Sequence, residues 1–162
     1  MNSAKTLFLD FDGVLHPNLA KPEELLKQLP PMSAVLEGCD VRIVISSSWR
    51  FHHTLDEILA QLPADICDRV IGTTGPVVIG QFSRWNEILA YVQRHKLKDW
   101  RALDDSAFEF PAGCKELILC DGSTGIGNLE LDLLTKWLRP RFLNPPQATG
   151  RAGGQLLNDG GK

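Results

Sequence analysis

The sequence predicts an α/β domain in three layers, built on a doubly wound, mainly parallel sheet. Three observations predict it. Short apolar runs, several of them β-branched, recur along the chain. Between them lie stretches whose apolar residues follow helical spacing, and strands alternating with helices need crossovers, which make parallel sheets. The length of 162 residues is one domain's worth, and such a chain buries roughly 68–70% of its unfolded surface without a metal or disulfide staple.

The strand-length runs are residues 6–9 (TLFL), 41–45 (VRIVI), 69–71 (RVI), 99–103 (DWRAL) and 117–120 (LILC). A short helix is expected over 22–29, ended by Pro30-Pro31. Leu55, Ile58, Leu59 and Leu62 sit at i, i+3, i+4 and i+7 behind a Thr54/Glu57 capping box. Trp85, Ile88, Leu89 and Val92 repeat that spacing, with Ser83 as the expected cap. Leu129, Leu133, Leu134, Trp137 and Leu138 make a further stripe, stopped by Pro140. The globular domain is expected over 1–143. The remaining residues, NPPQATGRAGGQLLNDGGK, hold five Gly and two Pro with only two adjacent Leu, and are expected to form a flexible tail over 144–162.

Composition narrows the function classes. With 43% hydrophobic and 23% charged residues, the chain is neither wholly disordered, collagen-like nor membrane-embedded. Its net charge of −3, from 17 Lys+Arg against 20 Asp+Glu, gives no bulk basic surface for gripping nucleic acid, although it leaves room for a local patch. Cys39, Cys67, Cys114 and Cys120 form no C-x-x-C pair and have no His at zinc-finger distance. The apolar run before Asp10 is too short for a signal peptide, and no run spans a bilayer. The expectation is a cytoplasmic protein with reduced thiols and no membrane partner.

The chemistry gathers at predicted strand ends, where doubly wound sheets bind ligands. Asp10, Asp12 and Gly13 follow the first strand in LFLDFDGVLHP. Two carboxylates two residues apart repel each other unless a cation or a shared proton relieves them. A hard divalent ion, usually Mg2+, suits such oxygen ligands. Gly13 allows a sharp turn and a close approach by a ligand. A calcium loop or a plain turn carries the same short string. The second strand ends in Ser46-Ser47-Ser48 and then Trp49-Arg50. A hydroxyl there suits a phosphate oxygen, and turn or cap serines are the plainer reading.

Arg84 opens a helix, where a cation opposes the dipole and so needs a reason. Asp104-Asp105 close the fourth strand as a second acidic pair, or as a strand-end turn. Trp49 and Arg50 fall beside the expected pocket and are candidates for stacking on, or pairing with, a nucleotide, as well as for core and surface roles. His16 is expected at the entrance, and Asp121 either at the border of the site or as a turn residue. His52-His53 are expected to be solvated, and Cys114 and Cys120 to be buried, inert thiols.

These residues, in this order, resemble the four motifs of the haloacid dehalogenase (HAD) superfamily: Asp10-Phe11-Asp12-Gly13-Val14-Leu15, Ser46, Arg84 and Asp104-Asp105. The resemblance runs from residue 5 to about 138. The family more often has Lys where this chain has Arg84, and Lys96 and Lys98 fall just before the fourth strand. More narrowly, D-F-D-G-V-L-H-P, S-S-S-W-R, the R-x-x-E-I of Arg84–Ile88 and A-L-D-D are similar to a compact bacterial subgroup found in RNA-repair proteins.

The resemblance implies a Rossmann-like, HAD-like fold and a phosphatase working through an aspartyl-phosphate. Asp10 would be the nucleophile and Asp12 the acid and base. Ser46 and Arg84 would hold phosphate oxygens, with Gly13, Ser47, Trp49 and Arg50 lining the substrate site. Mg2+ would sit on Asp10, the backbone carbonyl of Asp12 and Asp104, with Asp105 supporting. Only 33 residues separate Asp12 from Ser46 and 37 separate Ser46 from Arg84, which leaves no room for a cap domain. An open site suits a nucleic-acid end or nucleotide first, then a phosphoprotein, then a small metabolite. The alternative of a different class is a non-catalytic module that keeps the fold within a repair or defence complex.

Overall fold

Each of the five apolar runs forms a strand in the computed structural model, which describes residues 4–139. The strands are β1 (Lys5–Leu9), β2 (Val41–Ile45), β3 (Val70–Thr73), β4 (Trp100–Asp104) and β5 (Leu117–Leu119). The helices are α1 (Leu29–Leu36), α2 (Leu55–Leu59), α3 (Ala64–Cys67), α4 (Ser83–His95) and α5 (Asn128–Leu138). The strands make one parallel sheet in the order β3-β2-β1-β4-β5. The chain builds outward from β1 on one side, then crosses back to build on the other, so β1 lies at the topological switch point. The 1–143 boundary and the 144–162 tail fall outside the described residues.

The central strands read as near-continuous apolar runs because both of their faces are covered. Leu7, Leu9, Ile43, Ile45 and Leu103 pack with Met32 and Leu36 of α1 and Leu134 and Trp137 of α5. On the opposite face Phe8, Val44 and Ala102 pack with Ile88, Trp85 and Leu89 of α4. Phe8 sits edge-on to Tyr91 and Trp100, with centroids 5.6 and 5.5 Å away. Truncating such a buried ring to Ala costs about 3–5 kcal/mol. This is a three-layer, Rossmann-like α/β fold. Among the described residues no cap domain interrupts it, and no helix is long and apolar enough to cross a membrane.

The structure corrects several local expectations. Residues 22–29 hold only a helical turn at Pro22–Glu24, and Pro30-Pro31 begin α1 rather than ending a helix. Proline fits a first helical turn because the missing N–H would have no intrahelical partner there. The Thr54/Glu57 capping box forms as the sequence reads, with Glu57 N–H on Thr54 Oγ1 at 3.3 Å and Thr54 N–H on Glu57 Oε2 at 2.8 Å. Ser83 does not cap α4. Phe82, left-handed at φ 58°, holds the cap position, and the Ser83 hydroxyl donates to the Val78 carbonyl. On α5 Leu134, Trp137 and Leu138 are buried, whereas Leu129 is 76% exposed and Leu133 is also exposed. Cys120 is buried, but Cys114 is only half-buried.

Candidate active site

Strand register brings the motif residues together. Leu9 pairs with Ile45 and with Leu103, so the next residues, Asp10, Ser46 and Asp104, stand abreast at the carboxyl edge of the sheet. Asp10 N–H donates to the Leu103 carbonyl at 3.1 Å and Ser46 N–H to the Leu9 carbonyl at 2.9 Å, extending the ladder past the strand ends. All three side chains are buried.

Oxygens of Asp10, Asp104 and Asp105 lie within 4.8 Å of one another. Arg84 faces this cluster, its Nη1 being 3.0 Å from Asp104 Oδ2 and 3.4 Å from Asp10 Oδ1. That contact accounts for a cation in the first turn of α4. Lys96 and Lys98 are exposed near the other end of that helix.

The cluster is electrostatically strained. Burial raises the Asp10 carboxyl, against the pull of Arg84, the Phe11 N–H and the Ser47 hydroxyl. Burial and the Asp10 charge push Asp104 up to about 7. With all three carboxylates ionised, one guanidinium leaves the group short of positive charge, and an all-oxygen donor set fits a hard dication such as Mg2+.

Space for the third carboxylate is made by missing side chains. Gly13, at φ +73°, and Gly122 both abut Asp105, and a Cβ on either would collide with Asp105 Oδ2. The local reason for Gly13 is therefore room for Asp105, and no spacing rule pointed to Gly122. Asn18 Nδ2 donates to Asp105 Oδ2 at 2.6 Å and Ser106 Oγ to Asp105 Oδ1 at 3.2 Å.

Two hydroxyls stand out. Ser46 Oγ and Thr74 Oγ1 are buried with no hydrogen-bond partner among the described residues. Such groups are costly unless something satisfies them, which fits Ser46 as a ligand contact. Thr74, just past β3, escaped the sequence reading because a lone Thr at a strand end carries no signal. Ser47 is buried and accepts the Trp49 N–H at 3.3 Å.

Trp49 and Arg50 are half-buried with their polar groups engaged inside the protein, and Arg50 also lines a pocket beside Arg84. The Trp49 ring packs against Phe11 at 5.1 Å, and its Nε1–H donates to Asp12 Oδ2 at 2.9 Å. The Arg50 side chain, 4% exposed, pairs with Glu87. It also donates to the Ser46 and Ser47 carbonyls at 2.8 Å each and to that of Gly75 at 3.3 Å. The Asp12 carboxylate lies outside the three-carboxylate cluster, with its side chain 43% exposed and its other oxygen on His16 Nε2 at 3.0 Å. His16 is 1% exposed and lines no entrance. Asp121 accepts from the Ser123 N–H and hydroxyl, as a turn residue does.

Glu109, not singled out from the sequence, accepts the Arg84 backbone N–H at 3.1 Å and so caps α4 from 25 residues away. Beside it a pocket of about 200 Å3 is bounded by Arg50, Phe51, Val77, Ser83, Arg84, Glu87 and Glu109.

A family model, the HAD domain in Swiss Army Knife RNA repair proteins, matches residues 6–130. No curated protein and no solved structure matches the chain. The match takes in every motif residue from Asp10 to Asp105 and most of the chain, which belongs to this family of HAD domains.

Proposed function

We propose that this HAD domain is a Mg2+-dependent phosphatase that hydrolyses a terminal phosphomonoester through an aspartyl-phosphate on Asp10. The single observation that carries the reading is the position of Arg84 Nη1, within 3.4 Å of both Asp10 and Asp104 while Asp105 completes the acidic cluster. Asp10 attacks phosphorus, and Asp12 protonates the leaving oxygen and then takes a proton from the hydrolytic water. Arg84, the unpartnered Ser46 hydroxyl and the Ser47 hydroxyl serve the non-bridging oxygens. Asp10, the Asp12 carbonyl and Asp104 would hold Mg2+, oriented by Asp105, and the ion supplies charge neutralisation between carboxylate and phosphate.

The substrate we favour is a phosphorylated nucleic-acid end or nucleotide. The family description names RNA repair, and the exposed Phe51 ring at the pocket, with the Arg50 guanidinium over one face, suits stacking of a terminal base on the other. The charged groups around the site argue against a long polyanion track. Arg50 and Arg84 are opposed there by Asp10, Asp12, Glu87, Asp104, Asp105 and Glu109. Recognition therefore centres on the terminal phosphate and its nearest base. No observation favours the non-catalytic module.

The test is phosphate release, with and without Mg2+, from matched 3′-phosphate and 5′-phosphate oligonucleotides, nucleotides, phosphopeptides and sugar phosphates. Mg2+-dependent release, highest on one nucleic-acid series and abolished by Asp10→Asn, is expected. No release from any member overturns the enzyme reading, and a preference for phosphopeptides overturns the substrate class.

A further inference from the structure

Asp12 is the site carboxylate whose two oxygens are each held by a side-chain N–H from a different element. Trp49 Nε1–H reaches Oδ2 at 2.9 Å, and His16 Nε2 lies 3.0 Å from Oδ1. The far nitrogen of His16 fixes its tautomer. Nδ1 accepts the Leu26 backbone N–H at 3.3 Å, so Nε2 carries the proton and donates to Asp12. Leu26 itself is left-handed, at φ 58°, a conformation a branched residue adopts only when its surroundings impose it. The two donors also brace each other, since the His16 and Trp49 rings lie 5.9 Å apart and Phe11 packs on Trp49.

Burying a histidine to 1% exposure and turning a tryptophan N–H onto a 43% exposed carboxylate is more support than a surface Asp needs for stability. We propose that His16 and Trp49 are positioning residues that aim the Asp12 carboxylate for proton transfer. The inference rests on the phosphatase reading for its catalytic part.

A carboxylate offers about four lone-pair positions, and the two donors occupy only two of them. A proton can therefore sit on Asp12 while both positioning bonds persist. In the first half-reaction an Asp10 oxygen bonds to phosphorus as the bond to the leaving oxygen breaks. The proton passes from Asp12 to that oxygen, which departs as an alcohol. In the second half-reaction water bonds to phosphorus, the Asp10–phosphorus bond breaks, and the water's proton returns to Asp12. Both steps need Asp12 held at one angle and distance, because small misplacements of a proton-transfer group are costly.

The experiment compares Trp49→Phe, His16→Leu and His16→Gln on two probes with Mg2+ present. p-Nitrophenyl phosphate has a leaving group that needs little protonation, whereas β-glycerol phosphate has one that needs a full proton. For Trp49→Phe and His16→Leu, kcat/KM, which reports the steps through departure of the alcohol and not the hydrolysis common to both probes, is expected to fall about ten- to a hundred-fold on β-glycerol phosphate, against about two-fold on p-nitrophenyl phosphate. His16→Gln, which keeps an N–H near the Nε2 position, is expected to recover most of the loss.

An equal fall in kcat/KM on both probes, or no fall on either, overturns the positioning role while leaving the phosphatase reading intact. A wild-type chain hydrolysing neither probe counts against that reading instead. The contact itself is then tested without turnover. Asp12→Asn should move the Trp49 indole proton resonance while those of Trp85, Trp100 and Trp137 stay in place, and an unmoved Trp49 signal overturns the proposal.

Discussion

Arg50 and Arg84 line one pocket with Glu87 and differ in what they hold. Arg50 is 4% exposed and donates to three backbone carbonyls as well as to Glu87, bracing the loop that follows β2. Arg84 is 15% exposed, and its Nη1 is shared between Asp10 and Asp104. A guanidinium committed to backbone carbonyls cannot change partners without moving the chain. One shared between carboxylates can turn to an incoming phosphate, whose geometry it matches equally well. The same residue type thus serves as scaffold in one place and, on the proposed function, as a ligand group in the other.

Removing each arginine tests this contrast. Arg50→Ala strands Glu87 as an uncompensated buried charge, and such losses run to about 3–5 kcal/mol. A large drop in thermal or denaturant midpoint is expected, and a midpoint within error of wild type would break the contrast. Arg84→Ala should instead show in the rate. Loss of one transition-state donor lowers kcat about 100- to 1,000-fold, with a smaller drop in midpoint than Arg50→Ala because Asp10 and Asp104 can share a proton or take a cation. Equal losses of stability from the two substitutions would make both arginines structural.

The pH dependence sharpens the picture of Arg84's surroundings. Asp104 is pushed up to about 7 from an ordinary 3.8, so the folded chain keeps a proton that the unfolded chain has released. The sign follows from linkage: the contribution of this group is fullest at pH below about 4 and is lost as pH rises through about 7. Added Mg2+ should offset that loss above pH 7 and do little below pH 5, as followed by melting temperature. A metal-induced stabilisation that is the same at both pH values would contradict the acidic-cluster assignment. The smallest effect is expected for Glu109→Gln. It weakens the side-chain cap on the Arg84 N–H and should cost about 0.5–1 kcal/mol, and a larger loss would mean Glu109 does more than cap α4.

How much was legible in the sequence follows the same division. Asp10, Ser46 and Asp104 could be read because a parallel sheet aligns its strand ends, and the residue after an apolar run is set by that run. Arg84 could be read because a cation in a helix's first turn is out of place on dipole grounds. The supports could not be read. The Asn18–Asp105 bond joins residues 87 apart, and Glu109 caps α4 through an N–H 25 residues earlier, that of Arg84. Gly122 matters only because Asp105 folds against it. Trp49 and Arg50 could be placed beside the serines, but the Trp49–Asp12 bond and the Arg50–Glu87 pair each join residues 37 apart, which no local pattern announces. Pro30-Pro31 misled because proline both ends helices and begins them.

The central claim is that Asp10 is the nucleophile of a phosphatase. Borohydride reduces an aspartyl-phosphate to homoserine, so the most direct measurement is to quench the enzyme during turnover with Mg2+ and a hydrolysed phosphomonoester, then map the product by peptide mass spectrometry. Homoserine at position 10, dependent on both substrate and Mg2+, is the predicted result. Unmodified Asp10 during active turnover, or the mark on Asp12, Asp104 or Asp105 instead, would contradict it.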